Sequence, residues 1–371
     1  MKKSLLCMFL IFAACFSMTG CSSGKPADER PESITLRIAT PPIGLGSVPG
    51  VGEAEISEMM EVAAERFSAQ YTAFDVNFEI NRYNYTDEKE QLLDKIGTED
   101  AADIFYAGSW NTSAWAEQGW IVPLDDIIDD GLRSDISETL WRQNSYKGHV
   151  YVLPYQQLHN TLAVNKKMME EAGLAEFIPE QDTIAHWSTE DFNTVFAELK
   201  ESITDETTYV FMMYALNDQG DSHIMTLLQA MGGSLYDENG NFAVNTPEGI
   251  AALTWLKSLD EQGYVPENAE NIEFVDVINL FYNGQMAICM SNLTNLWDYR
   301  DRGMEVFPVN FPSLDGRGYA VVRLDNLNWQ GVRDVFYLNI QDLLKGTKSP
   351  EEVAKAIDET CNAALEQGRP K

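Results

Sequence analysis

Residues 34–107 alternate two periodicities, and that alternation limits the possible folds more than any other feature of the chain. Ile34 to Thr40 alternates as a strand does. From Glu53 onward, Ile56, Met60, Ala63, Phe67 and Tyr71 recur at helical spacing, which predicts a helix with one face on a sheet. Val76, Phe78 and Ile80 alternate again. Thr86 to Ile96 reads as a second helix capped by Thr86, and Asp103 to Ala107 (DIFYA) as a buried strand. Strand, helix, strand, helix, strand is the order of a parallel sheet, so the chain is an α/β protein. Ligands on such sheets lie beyond the carboxyl ends of the strands, which places Tyr106 to Asn111 at a binding face. The Gly/Pro-rich run Pro41 to Gly52 reads equally as a ligand-facing loop or as a structural turn.

A second stretch, Gly148 to Leu174, carries more specific information. His149 to Pro154 alternates and stops at a proline, which suits a short strand ending in a crossing. Thr161 to Asn165 is a further apolar strand, and Lys166 to Ala172 has helical spacing that ends at Gly173, a natural C-cap. This order resembles the interlobe passage of family 1 extracellular solute-binding proteins: Tyr-x-x-Pro-Tyr, a strand ending in Asn-Lys, and a helix ending in Ala-Gly-Leu. Three further runs resemble the same family. They are AADIFYAGSWNTSAWAEQGWIVPLDD; the series GG, DENG, NTPEGIAALTWLKSL and EQGYVPE; and Phe274 to Asn283 followed by Gly284 to Ile288.

The resemblance implies a two-lobed, periplasmic-binding-protein-like α/β fold with a hinge and an interlobe cleft. Residues 34–153 with about 274–316 would form the first lobe, and residues 154–273 with about 317–371 the second. The pattern also expects a strand and helices after Phe311-Pro312, whereas Gly318-Tyr319-Ala320 runs almost directly into Asn328 to Leu344. The second lobe is therefore expected to fall short of the family's usual size, and to be the less protected of the two.

Met1 to Cys21 is a processing segment. Lys2 and Lys3 form its charged region and Leu5 to Phe16 its apolar region, too short to span a bilayer as a stable helix. Met18-Thr19-Gly20-Cys21 looks like a bacterial lipobox, with Met where leucine is usual. A signal peptide over 1–20, acylation of Cys21 (palmitate) and a polar tether over 21–33 follow from that reading. An ordinary signal peptide with a coincidental cysteine is the alternative.

Without residues 1–20 the chain has 24 basic against 58 acidic side chains, a net charge of −34. Such a surface repels nucleic acid and anionic lipid and names no ligand. Cys21, Cys289 and Cys361 would remain, too few for a disulfide framework once Cys21 is the anchor. Cys289, inside MAICM, reads as a buried apolar residue.

The family resemblance implies a ligand held by aromatic platforms and directed polar groups. Trp110, Tyr155, Trp187 and Trp297 are the stacking candidates; Asn111, Gln156, Asn292 and Asn295 are the hydrogen-bonding ones. Trp110 and Trp297 lead because both are expected in loops at the cleft, whereas Trp115, Trp120, Trp141 and Trp255 lie on patterns that suggest packing. His149, His159, His186 and His223 are scattered, with no zinc spacing, nucleophile elbow or phosphate loop, so neither a catalytic residue, a metal nor a cofactor is assigned. The expectation is a lipid-anchored, Gram-positive-type substrate-binding component of an ABC importer. It would sit on the extracytoplasmic face of the cell membrane, bind a sugar or oligosaccharide and meet the permease's transmembrane subunits. The alternatives are an anchored sensor or adhesin without transport, or a secreted glycoside-active enzyme.

Overall fold

The computed structural model describes residues 33–48, 52–84, 88–155, 160–180, 183–213, 215–216, 220–314 and 326–369. Cys21 and its tether, Thr86, Gln156 and Gly318 to Ala320 lie outside them. In chain order the elements are β1 (Ser33–Thr40), β2 (Gly44–Val48), β3 (Gly52–Glu55), α1 (Ile56–Gln70), β4 (Asp75–Arg82), α2 (Glu88–Gln91) and β5 (Ile104–Phe105). Next come α3 (Thr112–Glu117), α4 (Asp130–Asp135), α5 (Glu138–Gln143), β6 (Ser145–Tyr146), β7 (His149–Val150), β8 (Asn160–Asn165), α6 (Lys166–Glu171), α7 (Thr189–Ser202) and β9 (Tyr209–Met212). The chain continues with α8 (Asp221–Ala230), α9 (Pro247–Glu261), α10 (Phe274–Tyr282), β10 (Met286–Asn292), α11 (Leu293–Asp301), β11 (Val306–Val309), α12 (Trp329–Leu344) and α13 (Pro350–Gln367).

These elements divide into two units. Of the described residues, 33–40 and 57–105 form the first, and 41–48, 52–56 and those from 106 onward form the second.

In the first unit, β1 runs parallel to β4 on one side and to β5 on the other. This is the parallel arrangement that the periodicities predict. Asp103 closes the β5 side, its carboxylate accepting from the Arg37 backbone N–H at 2.8 Å. The buried core is small: Ala39, Tyr83 and Leu92, with Leu93, Ala102 and Phe105 packed against them. On α1 the expected apolar stripe is only partly covered, because three strands, one of them two residues long, offer it little area. Ala63 is exposed and Phe67 is 43% exposed, stacked on Tyr71 and edge-on to Phe78.

The second unit holds a sheet of order β11-β8-β10-β9. Strand β8 is antiparallel to β10 and β11, and β9 is parallel to β10. Leu162 to Val164 and Met286 to Met290 are buried at every position, as expected of strands covered on both faces. Helices α7, α8, α9, α12 and α13 contribute Phe192, Phe196, Leu227, Leu253, Phe336 and Ile357 to one continuous core. Local chemistry explains the motifs. The Asn165 side chain accepts from the Met168 backbone N–H at 3.3 Å and caps α6, so Asn-Lys marks a strand-to-helix change. Gly173, at φ +76°, ends that helix in the left-handed region. Ser188 and Asp191 form a capping box at α7, and Ser349 and Glu352 form another at α13.

Two stretches lie elsewhere than the expected lobe bounds suggest. Residues 274–313 do not belong with the first sheet, since β10 lies between β8 and β9, where its MAICM run has strands on both edges. Residues 106–153 also fall in the second unit. Helices α12 and α13 pack on each other and on α9, and the larger core lies in this unit. Asn310 ties β11 back to the start of α7, accepting from the Trp187 backbone N–H at 2.7 Å and donating to its carbonyl at 3.0 Å. Cys289 and Cys361 are buried free thiols, and burial pushes each up to about 12.

Candidate functional site

One end of the second unit's sheet collects polar groups. Asn160 opens β8 and Asn292 closes β10, and the antiparallel register sets them opposite each other. The Asn160 amide donates to Ser222 Oγ at 3.0 Å, joining the strand to the first turn of α8. Asp221, the residue before, is 6% exposed, and its Oδ2 accepts from Arg333 Nε at 2.7 Å. The Arg333 side chain, 13% exposed, carries its guanidinium carbon 5.4 Å from the Trp110 ring centre. Behind this row, the buried His223 sits with its Nε2 2.9 Å from the Ser291 carbonyl, and burial lowers its pKa to about 4. The neutral ring therefore donates to that carbonyl at physiological pH.

Asn292 Oδ1 accepts from the Asn295 backbone N–H at 3.1 Å, capping α11. The Asn295 Nδ2 is buried with no acceptor in the structure. Burying an amide donor unpaired is costly. Trp297, further along α11, is 47% exposed, with the Arg300 guanidinium 5.7 Å from its ring centre. Tyr155 is 49% exposed and meets Tyr106 edge-on at 6.0 Å. The Tyr106 phenol is pushed up to about 12 by burial and by Tyr155, so it stays a neutral donor.

Trp110 and Asn111 lie in a 3-10 turn, Ser109–Asn111, and Trp297 lies on α11, not in loops as expected. Trp187 is a core residue. It is buried among Phe177, Phe192 and Phe307, and its indole donates to the Phe177 carbonyl at 3.1 Å, so it offers no face to a ligand. Trp115 and Trp141 are buried and Trp255 is partly so, whereas Trp120 is exposed. Asp221, Arg333 and Asn160 escaped the sequence reading. A signal was present: Arg333 shares the apolar face of α12 with Trp329, Val332, Phe336 and Ile340, and a guanidinium on a buried face needs a partner. A separate open cavity of ≈ 460 Å³ lies along β9 and α10, lined by Tyr209, Met212, Ile272, Asp276, Leu280 and Gln285 among others. It shares no residue with the asparagine-lined end.

Residues 52–319, most of the chain, match the family model of bacterial extracellular solute-binding proteins. The chain belongs to this family. Its fold is that of the two-lobed periplasmic binding proteins, as its neighbours among solved structures show. A solute-binding protein of Thermotoga lettingae, solved with α-D-tagatose, superposes with a TM-score of 0.69 at 17% identity, covering 90% of this chain and 100% of that one. The GacH receptor of Streptomyces glaucescens, solved unliganded and with acarbose, gives a TM-score of 0.68 at 16% identity, covering 92% and 100%. The diacetylchitobiose-binding protein DasA of Streptomyces coelicolor is 24% identical over 73% of this chain and 59% of its own length. The mannitol-binding protein of Pseudomonas aeruginosa is 25% identical over 54% and 44%. The chain thus spans about half the length of the sequence relatives it matches. No helix of the described residues is long and apolar enough to cross a membrane.

Proposed function

We propose that this solute-binding protein is the substrate-binding component of an ABC importer and that it takes an uncharged sugar or oligosaccharide. The observation that carries the reading is the continuous run Trp110, Arg333, Asp221, Ser222, Asn160 at the asparagine-lined end of the second unit's sheet. Sugars present C–H faces that stack on indole and phenol rings and hydroxyls that amides hold. Trp110, Tyr155 and Trp297 would supply the faces; Asn111, Gln156, Asn292 and Asn295 would supply the amides. The buried guanidinium is already paired with a carboxylate, which favours a neutral ligand over an anionic one. The names of the relatives, which include diacetylchitobiose, mannitol and maltotriose binders, support the same class.

A thermal-shift panel of diacetylchitobiose, mannitol, maltotriose and D-tagatose, with glucuronate as the anionic control, tests the reading. A sugar at one hundred times its dissociation constant adds about 2.7 kcal/mol. A shift with a neutral member and none with glucuronate is expected; a shift with glucuronate alone would overturn the neutral-sugar assignment. We further propose that Cys21 is the acylated residue that holds the protein at the extracytoplasmic face of the cell membrane, beside the permease subunits. Cys21→Ser should release or misprocess the protein, and unchanged membrane fractionation would contradict the anchor.

A further inference from the structure

The ion pair between Asp221 and Arg333 is poorly placed to be a stabilising device. Taking both charges out of water costs several kcal/mol each, and well-packed apolar residues often serve stability as well or better. What the pair does have is fixed geometry. Asp221 is the first residue of α8, where the helix dipole favours a carboxylate, and its Oδ1 also accepts from the Ser222 backbone N–H. Arg333 meets it through Nε at 2.7 Å and, more weakly, through Nη2 at 3.5 Å, while Gln330 Oε1 accepts from Nη1 at 3.4 Å. A planar fork held at three of its nitrogens cannot swing, and it is this fork that lies over Trp110.

The place of the ring depends on a second residue. A side chain added at Gly108 would place its Cβ 1.9 to 2.3 Å from the Cζ3, Cη2 and Cε3 atoms of Trp110, closer than any real contact. Only glycine at 108 leaves the indole its place. The ring is half-buried there and keeps part of its surface open.

We propose that Arg333, oriented by Asp221, is a positioning residue that holds the Trp110 ring, in the room Gly108 leaves it, as a contact face for an uncharged sugar. This rests on the sugar-binding reading above. Preorganising the ring removes an ordering cost that each binding event would otherwise carry. Asp221 meanwhile neutralises the guanidinium, so the face gains rigidity without gaining a net positive charge.

The test uses the full chain with 15N-labelled tryptophan, the Trp110 indole signal being assigned by its loss in Trp110→Phe. The double variant Asp221→Asn/Arg333→Gln removes the ion pair without leaving a single buried charge, so the fold is kept. In it the Trp110 signal should shift, split or broaden, and affinity for the tightest neutral sugar of the panel should fall about tenfold or more with the melting temperature little changed. Arg333→Lys keeps the charge but not the fork and should leave the signal displaced. Gly108→Ala should displace it by the independent steric route. An unmoved Trp110 signal in the double variant would overturn the positioning role, whatever the affinity. A displaced signal with unchanged affinity would remove Trp110 from the sugar site. If no panel sugar binds the parent protein, the sugar reading fails, while the indole signal still decides whether Arg333 positions the ring.

Discussion

The three-stranded and four-stranded sheets of this protein differ in strand pattern and in cover. The strands of the first alternate, and those of the second are near-continuous apolar runs. In the first unit, β4 alternates exposed and half-buried positions, and the buried core reduces to Ala39, Tyr83 and Leu92. In the second, β8 and β10 are buried on both faces under five long helices. Burial of apolar surface is the main favourable contribution to folding, so the second unit has a rigid frame to which a site can be attached and the first does not. The fixed groups follow that division. The ion pair beneath Trp110, the neutral His223 and the asparagines all stand at the end of the better-packed sheet.

The largest test of this contrast is truncation of matching aromatics. Phe336→Ala should cost about 3–5 kcal/mol in urea unfolding, because the ring is fully buried and its cavity cannot collapse. Phe67→Ala, on the exposed aromatic cluster of α1, should cost about 1 kcal/mol. Equal costs would break the comparison.

His223 sharpens it next. Its folded pKa lies below the usual histidine value, so between the two values the unfolded chain binds more protons than the folded one. Stability from this group is therefore complete above about pH 6.5 and falls as pH drops to about 4, by about 3 kcal/mol. Urea unfolding of His223→Gln across that window should be flatter than that of the parent by this amount. Identical slopes would mean that the ring is not held neutral.

Much of this was legible in the chain. The strand and helix order over 34–107 and the glycine that ends α6 are local signals, and local rules read them. The placement of 274–313 was not legible, because MAICM suits any two-face-buried strand and only its partners β8 and β9 decide the sheet. The burial of Trp187 was not legible for a related reason: Phe307 comes from a distant strand and Phe177 from a turn that periodicity does not place, and they close over it with Phe192. The Asp221–Arg333 pair joins residues 112 apart in sequence, a distance no spacing rule spans.

Two smaller effects complete the series. Trp297→Ala should weaken sugar binding by about 1–3 kcal/mol, by analogy with base stacking. Unliganded stability should hardly change, because half of the ring is already wet. A large loss of stability with unaltered affinity, read by melting and calorimetry together, would return Trp297 to the core. Ser349→Ala, which breaks the capping box of α13, should lower stability by about 1 kcal/mol. No change in the urea midpoint would show that this helix end needs no cap.

Hydrogen exchange followed by mass spectrometry, with and without the sugar that binds best, addresses the division of labour itself. Without sugar, amides of β1 and β4 should exchange well before those of β8 and β10, since local opening is easiest where few apolar contacts must break. With sugar, new protection should concentrate at residues 106–112 and 290–297. Uniform protection of both sheets, or a ligand footprint that leaves Trp110 and Asn292 untouched, would contradict the account.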